Sequence, residues 1–112
     1  MKIYHNPRCG KSRQTLALIQ EKGAAVEIIK YLETPPTRSE LKGIIDLLGI
    51  APYDLIRRNE AIFKEHYKGK ELTDAEWIDA LVAHPKLMER PVVIHHDKAV
   101  IGRPPERVLE LL

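Results

Sequence analysis

The single cysteine of this chain, Cys9, lies in a positively charged stretch that contains no acid. Residues 1–20 carry no Asp or Glu, and the first acidic residue is Glu21. Nearby cations favour a thiolate over a thiol, and the thiolate is the form that attacks an electrophile. Cys9 is therefore the candidate nucleophile. The basic residues of this stretch are Lys2, Arg8, Lys11 and Arg13.

Cys9 also stands between a predicted strand and a helix that we expect to begin at Gly10. The first N–H groups of a helix have no partner within it and lie at the positive end of the helix dipole. The amides of Gly10, Lys11 and Ser12 should therefore form a cradle for an anion. Alternatively, Cys9 is a small buried apolar residue, as free cysteines often are. Its place beside Arg8, after a proline-containing loop, favours the reactive thiolate.

Ser12 occupies the position where a dithiol redox motif would have its second cysteine. A lone thiolate can attack but cannot resolve its own adduct, so an external thiol must do so. An anion loop of the phosphotyrosine-phosphatase type is disfavoured, because Thr15 stands where that loop requires an arginine. The motif therefore indicates single-thiol chemistry that depends on an outside reductant.

Strand and helix patterns alternate on both sides of a long helical segment. β-Branched and apolar runs predict strands, and apolar residues three or four apart predict helices. The order is βαβ, then helices over about residues 37–84, then ββα with a hairpin turn at His96 and Asp97. A βαβ unit requires a parallel strand pair, whereas a hairpin adds an antiparallel one. The flanking elements are predicted at residues 2–4, 10–22, 26–31, 91–95, 98–101 and 106–112, and the last helix is expected to face Val108, Leu109 and Leu112 inward. Within the central segment, a short helix is predicted at residues 52–58.

Two capping boxes mark helix starts in the central segment, Thr37 with Glu40 and Thr73 with Glu76. Trp77 follows the second box on an apolar face and is assigned to the core. The predicted fold class is α/β, a thioredoxin-like four-stranded mixed sheet (βαβ–ββα) that carries a helical insertion. We expect residues 1–112 to form one domain, with the insertion at about 37–84.

Composition excludes several classes of protein. The chain has 112 residues, 30% charged, with a formal net charge of +2, which excludes a charge-rich disordered chain and a strongly cationic tail. No apolar run approaches the roughly 18 residues of a membrane helix. One cysteine excludes a disulfide framework and a four-cysteine zinc site, and it favours the reducing cytoplasm. We expect a cytoplasmic monomer that binds no nucleic acid, membrane or metal.

Residues 5–13 resemble the His-Asn-Pro-x-Cys-x-x-Ser-Arg signature of the glutaredoxin-coupled arsenate reductase family, which shares its fold with Spx-like proteins. The similarity is greatest to its short, YfgD-like subgroup. Further matches follow in the family's order and cover nearly the whole chain, at residues 31–36, 55–58, 84–85, 89–93 and 102–104. The resemblance implies a thioredoxin-like fold and an enzyme that reduces arsenate to arsenite.

The resemblance also implies a mechanism. In the family a cysteine thiolate attacks arsenate to form a covalent arsenic adduct, glutathione attacks next, and glutaredoxin completes the reduction. Arsenate and glutathione are then substrates, glutaredoxin is the protein partner, and no cofactor is bound. The implied residues are Cys9 as nucleophile, His5 and Ser12 as thiolate-stabilising groups, the Ser12 hydroxyl donating toward the sulfur, and Arg57, Arg90 and Arg103 as oxyanion ligands.

Each arginine has another interpretation when considered without the family. A tetrahedral oxyanion needs convergent donors, and the guanidinium fork suits it. However, Arg57 could end a solvated helix, Arg90 could cap a strand, and Arg103 could serve only its tight turn. Arg90 also precedes Pro91. We expect that bond to be cis, because thioredoxin-like folds commonly carry a cis proline beside the active cysteine.

Two other functions remain open from the sequence. Spx-like transcription regulators share the fold and bind RNA polymerase, although many use a Cys-x-x-Cys switch, which Ser12 argues against. A monothiol glutathione-dependent oxidoreductase acting on other substrates, such as protein mixed disulfides, fits Cys9 and Ser12. That activity would leave the three arginines without a role.

Overall fold

The computed structural model describes residues 1–112, and the chain divides into two compact units. The sheet unit consists of Met1–Thr34 and Arg90–Leu112, and the helical unit is Pro35–Glu89. The helical unit contains the segment predicted as an insertion and extends it at both ends. None of the helices is long and apolar enough to span a membrane.

The sheet unit contains four strands in the order β2-β1-β3-β4. β1 (Lys2–His5) pairs in parallel with β2 (Glu27–Lys30) and antiparallel with β3 (Val92–His95). β3 continues through a two-residue turn into β4 (Lys98–Ile101), its antiparallel partner. The predicted mixed four-stranded sheet of the α/β class is confirmed.

One face of this sheet packs against α1 (Gly10–Glu21) and the C-terminal 3-10 helix (Pro105–Leu111). The β1-α1-β2 crossover follows the prediction, and α1 ends one residue earlier than expected. Alternating strand residues point to the same face, so the central strands supply one apolar row to this core. The buried cluster that results is Ile3, Ile19, Val93, Val100 and Val108.

The C-terminal helix is wound more tightly than the sequence pattern suggested. Residues 106–112 were expected to bury Leu109 and Leu112, but these are 41% and 45% exposed. The segment is a 3-10 helix, which has three residues per turn. Residues three apart therefore share a face. Pro105 and Val108 are buried and Leu111 is half-buried along it.

The helical unit contains α2 (Arg38–Leu48), α3 (Ala61–His66) and α4 (Asp74–Ala83). Shorter 3-10 turns lie at Pro52–Leu55 and Pro85–Leu87. The first was expected to continue to residue 58. Instead, Ile56 forms an isolated antiparallel bridge with Met88, so the backbone is already extended there.

Both predicted capping boxes are present. The Thr37 hydroxyl accepts the Glu40 N–H at 3.1 Å, and the Glu40 carboxylate accepts the Thr37 N–H at 2.9 Å. Thr73 and Glu76 repeat the pattern at 3.2 and 2.9 Å. Each box satisfies two N–H groups that the helix cannot, so local sequence alone sets the starts of α2 and α4.

Gly102 gives a test of how tightly the sheet unit is packed. A Cβ on Gly102 would lie 2.6 Å from Thr15 Oγ1 and 2.9 Å from Pro91 Cγ. We expect Gly102→Ala to lower the free energy of unfolding by about 1–3 kcal/mol, because the buried neighbours must move apart. Denaturant titration would measure the change.

Gly43→Ala is the matched control. Gly43 lies within α2, and a Cβ there meets nothing within 4 Å. Alanine should therefore stabilise the protein by about 0.5–1 kcal/mol, its advantage over glycine inside a helix. Equal effects of the two substitutions would show that Gly102 is not a position of close packing.

Candidate active site

The strand ends at one edge of the sheet gather the predicted site residues that belong to the sheet unit. β1 and β2 end there with His5 opposite Lys30, while β3 begins there and β4 ends there. The loop after β1 carries Cys9. Arg90 precedes β3 by two residues, and Arg103 follows β4 by two. The sheet topology therefore places one cysteine and two arginines from distant parts of the sequence at the same edge.

Cys9 is the N-cap residue of α1, with φ −93° and ψ 123°. Its N–H donates to the Asn6 carbonyl at 3.0 Å, and its carbonyl accepts the Arg13 N–H at 3.0 Å. The residue is half-buried. The predicted position at a strand-to-helix junction is confirmed, and the sulfur is accessible without being fully exposed.

The pKa of the Cys9 thiol lies below its ordinary value. Partial burial acts to raise this pKa, because it penalises the charged thiolate. The opposing contributions together outweigh it: a hydrogen bond from the Ser12 N–H, a hydrogen bond and positive charge from Arg90, and a hydrogen bond from the Lys11 N–H. Two amides of the expected cradle and one guanidinium thus stabilise the thiolate.

The Ser12 hydroxyl connects α1 to the end of β1. Ser12 Oγ lies 2.7 Å from His5 Nδ1 and accepts the Asn6 N–H at 3.0 Å. Ser12 is fully buried and His5 is 6% exposed. Ser12 lowers the pKa of Cys9 through its backbone N–H, while its hydroxyl is hydrogen-bonded to His5 and Asn6.

His5 is held toward its neutral form. Burial lowers the pKa of the imidazole, and the positive charges of Lys30 and Arg13 lower it further. His5 therefore contributes little positive charge beside the thiolate near neutral pH. Its connection to the site is the hydrogen bond with Ser12, which ties the end of β1 to the first turn of α1.

Asn6 organises the cysteine loop, although the sequence analysis did not single it out. Its side-chain oxygen accepts the Arg8 N–H at 3.0 Å. Its own N–H and carbonyl bind Ser12 and Cys9. An asparagine that hydrogen-bonds to the backbone two residues ahead is a recognised turn signal, and that signal could have identified it.

The two arginines of the sheet unit are placed by the segments that flank β3 and β4. Arg90 is hydrogen-bonded to the Cys9 sulfur, and the predicted cis Arg90–Pro91 bond is confirmed. Arg103 is exposed, and Arg103–Pro104 is also cis, which was not predicted. Gly102 anchors this second segment, because its N–H donates to the Pro91 carbonyl at 2.8 Å.

Arg57 belongs to the helical unit. Its side chain is 9% exposed, and its N–H donates to the Leu87 carbonyl at 2.7 Å. Nη1 pairs with Glu60 Oε1 at 3.5 Å. The interpretation of Arg57 as a solvated helix end is wrong, because the bridge beside it buries the residue. Its neighbour Arg58 is the exposed one and lies over the Tyr53 ring, 4.6 Å from the centroid.

The structure contains no group of three or more His, Cys, Asp or Glu side chains arranged to hold a metal ion. The site in the sheet unit presents a cysteine sulfur with a lowered pKa beside positively charged donors. A thioredoxin-like sheet with one activated cysteine at the start of its first helix defines a class of single-thiol proteins.

Within that class, the chain belongs to the ArsC family, whose profile matches residues 4–111. The chain is 46% identical over its full length to the uncharacterized protein YfgD of Escherichia coli, of which it covers 96%. It is 43% identical to an arsenate reductase of Neisseria meningitidis, with 100% of this chain and 97% of that protein aligned.

Solved structures give the same relationship. The arsenate reductase from Vibrio cholerae superposes with a TM-score of 0.95 at 46% sequence identity, covering 100% of this chain and 98% of that one. A related protein of the ArsC family from Bacteroides fragilis superposes with a TM-score of 0.87 at 24% identity, which shows that the fold persists at lower identity.

Arg90 provides a test of thiolate stabilisation. We expect Arg90→Gln to raise the pKa of Cys9, because both a hydrogen bond and a positive charge are lost. The pH dependence of iodoacetamide alkylation would show its midpoint moving to higher pH. Arg107→Gln removes an exposed arginine from the C-terminal 3-10 helix and should leave the midpoint unchanged. Equal midpoints in all three proteins would contradict a role for Arg90.

His5 should titrate below the ordinary histidine pKa of about 6.5. Burial and the charges of Lys30 and Arg13 both disfavour the imidazolium. An NMR titration of the imidazole resonances would measure its midpoint, which Lys30→Gln should shift upward. Lys22→Gln, at an exposed lysine after α1, should not shift it. A midpoint above 6.5 in the wild-type protein would refute the neutral assignment.

Proposed function

We propose that this protein reduces arsenate to arsenite, using glutathione and glutaredoxin as the source of electrons. The observation that carries the proposal is the Cys9 thiol, half-buried at the start of α1, whose pKa is lowered by the Ser12 and Lys11 N–H groups and by Arg90. A nucleophile beside a positively charged donor suits an anionic electrophile, since the donor offsets the repulsion between the two negative charges. The arsenate reductases among its relatives support this substrate.

The first step forms the covalent adduct. The Cys9 thiolate attacks the arsenic of HAsO₄²⁻, two protons are taken up, and one oxygen leaves as water. The product is a Cys9 S–As bond in which arsenic is still As(V). Oxyanion donors hold the negative oxygens during this step, when charge repulsion is greatest.

The two electrons then come from outside the chain. A glutathione thiol displaces a second oxygen from arsenic as water. A glutaredoxin thiolate attacks the glutathione sulfur and breaks the bond between that sulfur and arsenic. The electron pair of this bond stays on arsenic, which becomes As(III). The oxidised product is the glutaredoxin–glutathione disulfide. Water cleaves the remaining Cys9 S–As bond and releases arsenite and the Cys9 thiol.

This dependence on external thiols follows from the cysteine count. Cys9 is the only cysteine, so no second thiol of the chain can displace an adduct. A reaction that consumes reduced thiols requires a compartment that maintains them, which is why we assign it to the cytoplasm. The single-chain site needs no second copy, and we propose a monomer.

We assign oxyanion binding to Arg57, Arg90 and Arg103. Arg90 is already directed at the sulfur and would contact an oxyanion bonded to it. Arg103 lies at the same edge of the sheet, and its guanidinium can supply two parallel donors. Arg57 is assigned by its match to the family motif; it is buried, and its Nη1 lies 3.5 Å from Glu60 Oε1.

Arsenite formation with arsenate, glutathione and glutaredoxin tests the proposal. Cys9→Ser should abolish turnover, because serine is not deprotonated at neutral pH. Arg90→Gln and Arg57→Gln should each lower kcat/KM for arsenate by about 100-fold or more, the usual effect of losing one oxyanion donor. A coupled assay of arsenite release would give these values.

Two neighbouring arginines serve as matched controls. Arg58→Gln makes the same substitution at the exposed residue next to Arg57. Arg107→Gln makes it at another exposed arginine and is the control for Arg103→Gln. Both controls should retain wild-type kcat/KM. If the wild-type protein forms no arsenite although Cys9 alkylates rapidly at low pH, the thiolate is real and arsenate is the wrong substrate. Reduction of protein mixed disulfides and binding of RNA polymerase would then be measured.

A further inference from the structure

An open pocket of about 270 Å³ lies beside the cysteine loop, within the sheet unit. Residues 5–8 line one side, and Lys30, Leu32 and Glu33 line the other. Its base is the paired ends of β1 and β2, where His5 lies opposite Lys30. The pocket therefore shares a wall, the loop that leads into Cys9, with the candidate active site.

The pocket and the sheet-unit arginines lie on opposite sides of β1. The strand order is β2-β1-β3-β4, so the pocket at the end of β2 is on one side of the cysteine loop. Arg90 and Arg103 flank β3 and β4 on the other side. An oxyanion held by the arginines leaves the pocket side of Cys9 open to a second reactant.

The pocket walls carry both signs of charge. Arg8 and Lys30 are exposed cations, and Glu33 is an exposed carboxylate. Leu32 is 40% exposed and leaves an apolar surface between the charges. Two cations, one anion and a small apolar surface complement a ligand with two carboxylates, one ammonium and a short apolar part.

We propose that this pocket binds the reducing thiol as a small anionic peptide with two carboxylates and one ammonium, the chemical class of glutathione. The inference rests on the proposed function, because only a single-thiol enzyme needs a separate site for a reductant. Arg8 and Lys30 bind the carboxylates, Glu33 binds the ammonium, and the thiol points toward Cys9. The volume, near the lower limit of roughly 300–1,000 Å³ for small-molecule sites, suits a tripeptide.

The charge pattern also distinguishes this ligand from the oxyanion. Arsenate carries only negative charge. The Glu33 carboxylate repels it and has no proton to donate to its oxygens. The Glu33 N–H donates to the Lys30 carbonyl at 3.0 Å, which closes the turn that carries these two pocket residues. The arginine side of Cys9, in contrast, presents positively charged donors.

NMR titration with S-methylglutathione tests the site without requiring any turnover. The capped thiol cannot react with Cys9, so shifts of the backbone amides report binding alone. We expect saturable shifts at residues 5–8 and 30–33. Shifts confined to Cys9–Ser12 and Arg90, or no saturable shifts at all, would overturn the proposal.

Three charge-removing variants and one control identify the ligand groups. Arg8→Gln and Lys30→Gln should each raise Kd by about three- to five-fold, the effect of one exposed ion pair. Glu33→Gln should raise Kd for S-methylglutathione but not for its N-acetylated form, which lacks the ammonium. Lys22→Gln removes an exposed lysine outside the pocket and should leave Kd unchanged. Equal effects of all four would show nonspecific charge attraction and reject the site.

Steady-state kinetics separate this proposal from the function on which it rests. Lys30→Gln should raise KM for glutathione by a similar factor and leave KM for arsenate unchanged. An equal rise in both constants would reject a dedicated reductant site. If the wild type binds S-methylglutathione in the pocket but forms no arsenite, the pocket assignment stands and arsenate is excluded as the substrate.

Discussion

The need to stabilise a negative charge on a half-buried sulfur is the constraint on which the site depends. Partial burial alone would keep Cys9 protonated, because a thiolate loses more hydration than a thiol. The protein offsets this cost with the N–H groups of Lys11 and Ser12, which belong to the first turn of α1, and with Arg90. The helix donors cost little to arrange, since they have no partner inside the helix. Arg90 must be brought from the far end of the sequence.

The sheet topology and one glycine bring that distant segment to the sulfur. β3 lies next to β1 and runs antiparallel to it, so the start of β3 meets the end of β1 at one edge. Gly102 then packs against Thr15 and Pro91 with no room for a Cβ. This contact ties the segments before β3 and after β4 to α1. Packing at Gly102 therefore helps to position the segments that carry Arg90 and Arg103.

The neutral state of His5 shows how the site distributes its charge. Lys30 and Arg13 act on the imidazole at the same time as burial does, and all three lower its pKa. Stabilisation of the thiolate is thus left to Arg90 and the helix amides, while His5 and Ser12 fix the geometry of the loop. The same Lys30 lines the pocket where we place the reductant, so one cation has two effects on the site.

Local sequence determined a large part of this protein. The capping boxes, the order of strands and helices along the chain, and the cysteine at a helix start all depend on residues close in sequence, whose backbone preferences and hydrogen bonds act over three or four positions. The family motif identified the arginines but gave no physical reason for them. Their individual environments differ: Arg57 is buried, Arg90 is hydrogen-bonded to the Cys9 sulfur, and Arg103 is exposed.

Tertiary structure decided which distant groups act on Cys9. His5 is a potentially cationic residue in the sequence, but burial and the neighbouring cations lower its pKa, and burial is not visible in a local pattern. The sequence suggested inward-facing Leu109 and Leu112, but the 3-10 winding turns them outward. Asn6 gained its importance from three simultaneous hydrogen bonds, and the reductant pocket exists only where β2 meets the cysteine loop. Electrostatic and packing terms of this kind depend on distances through space, which the order of residues along the chain does not specify.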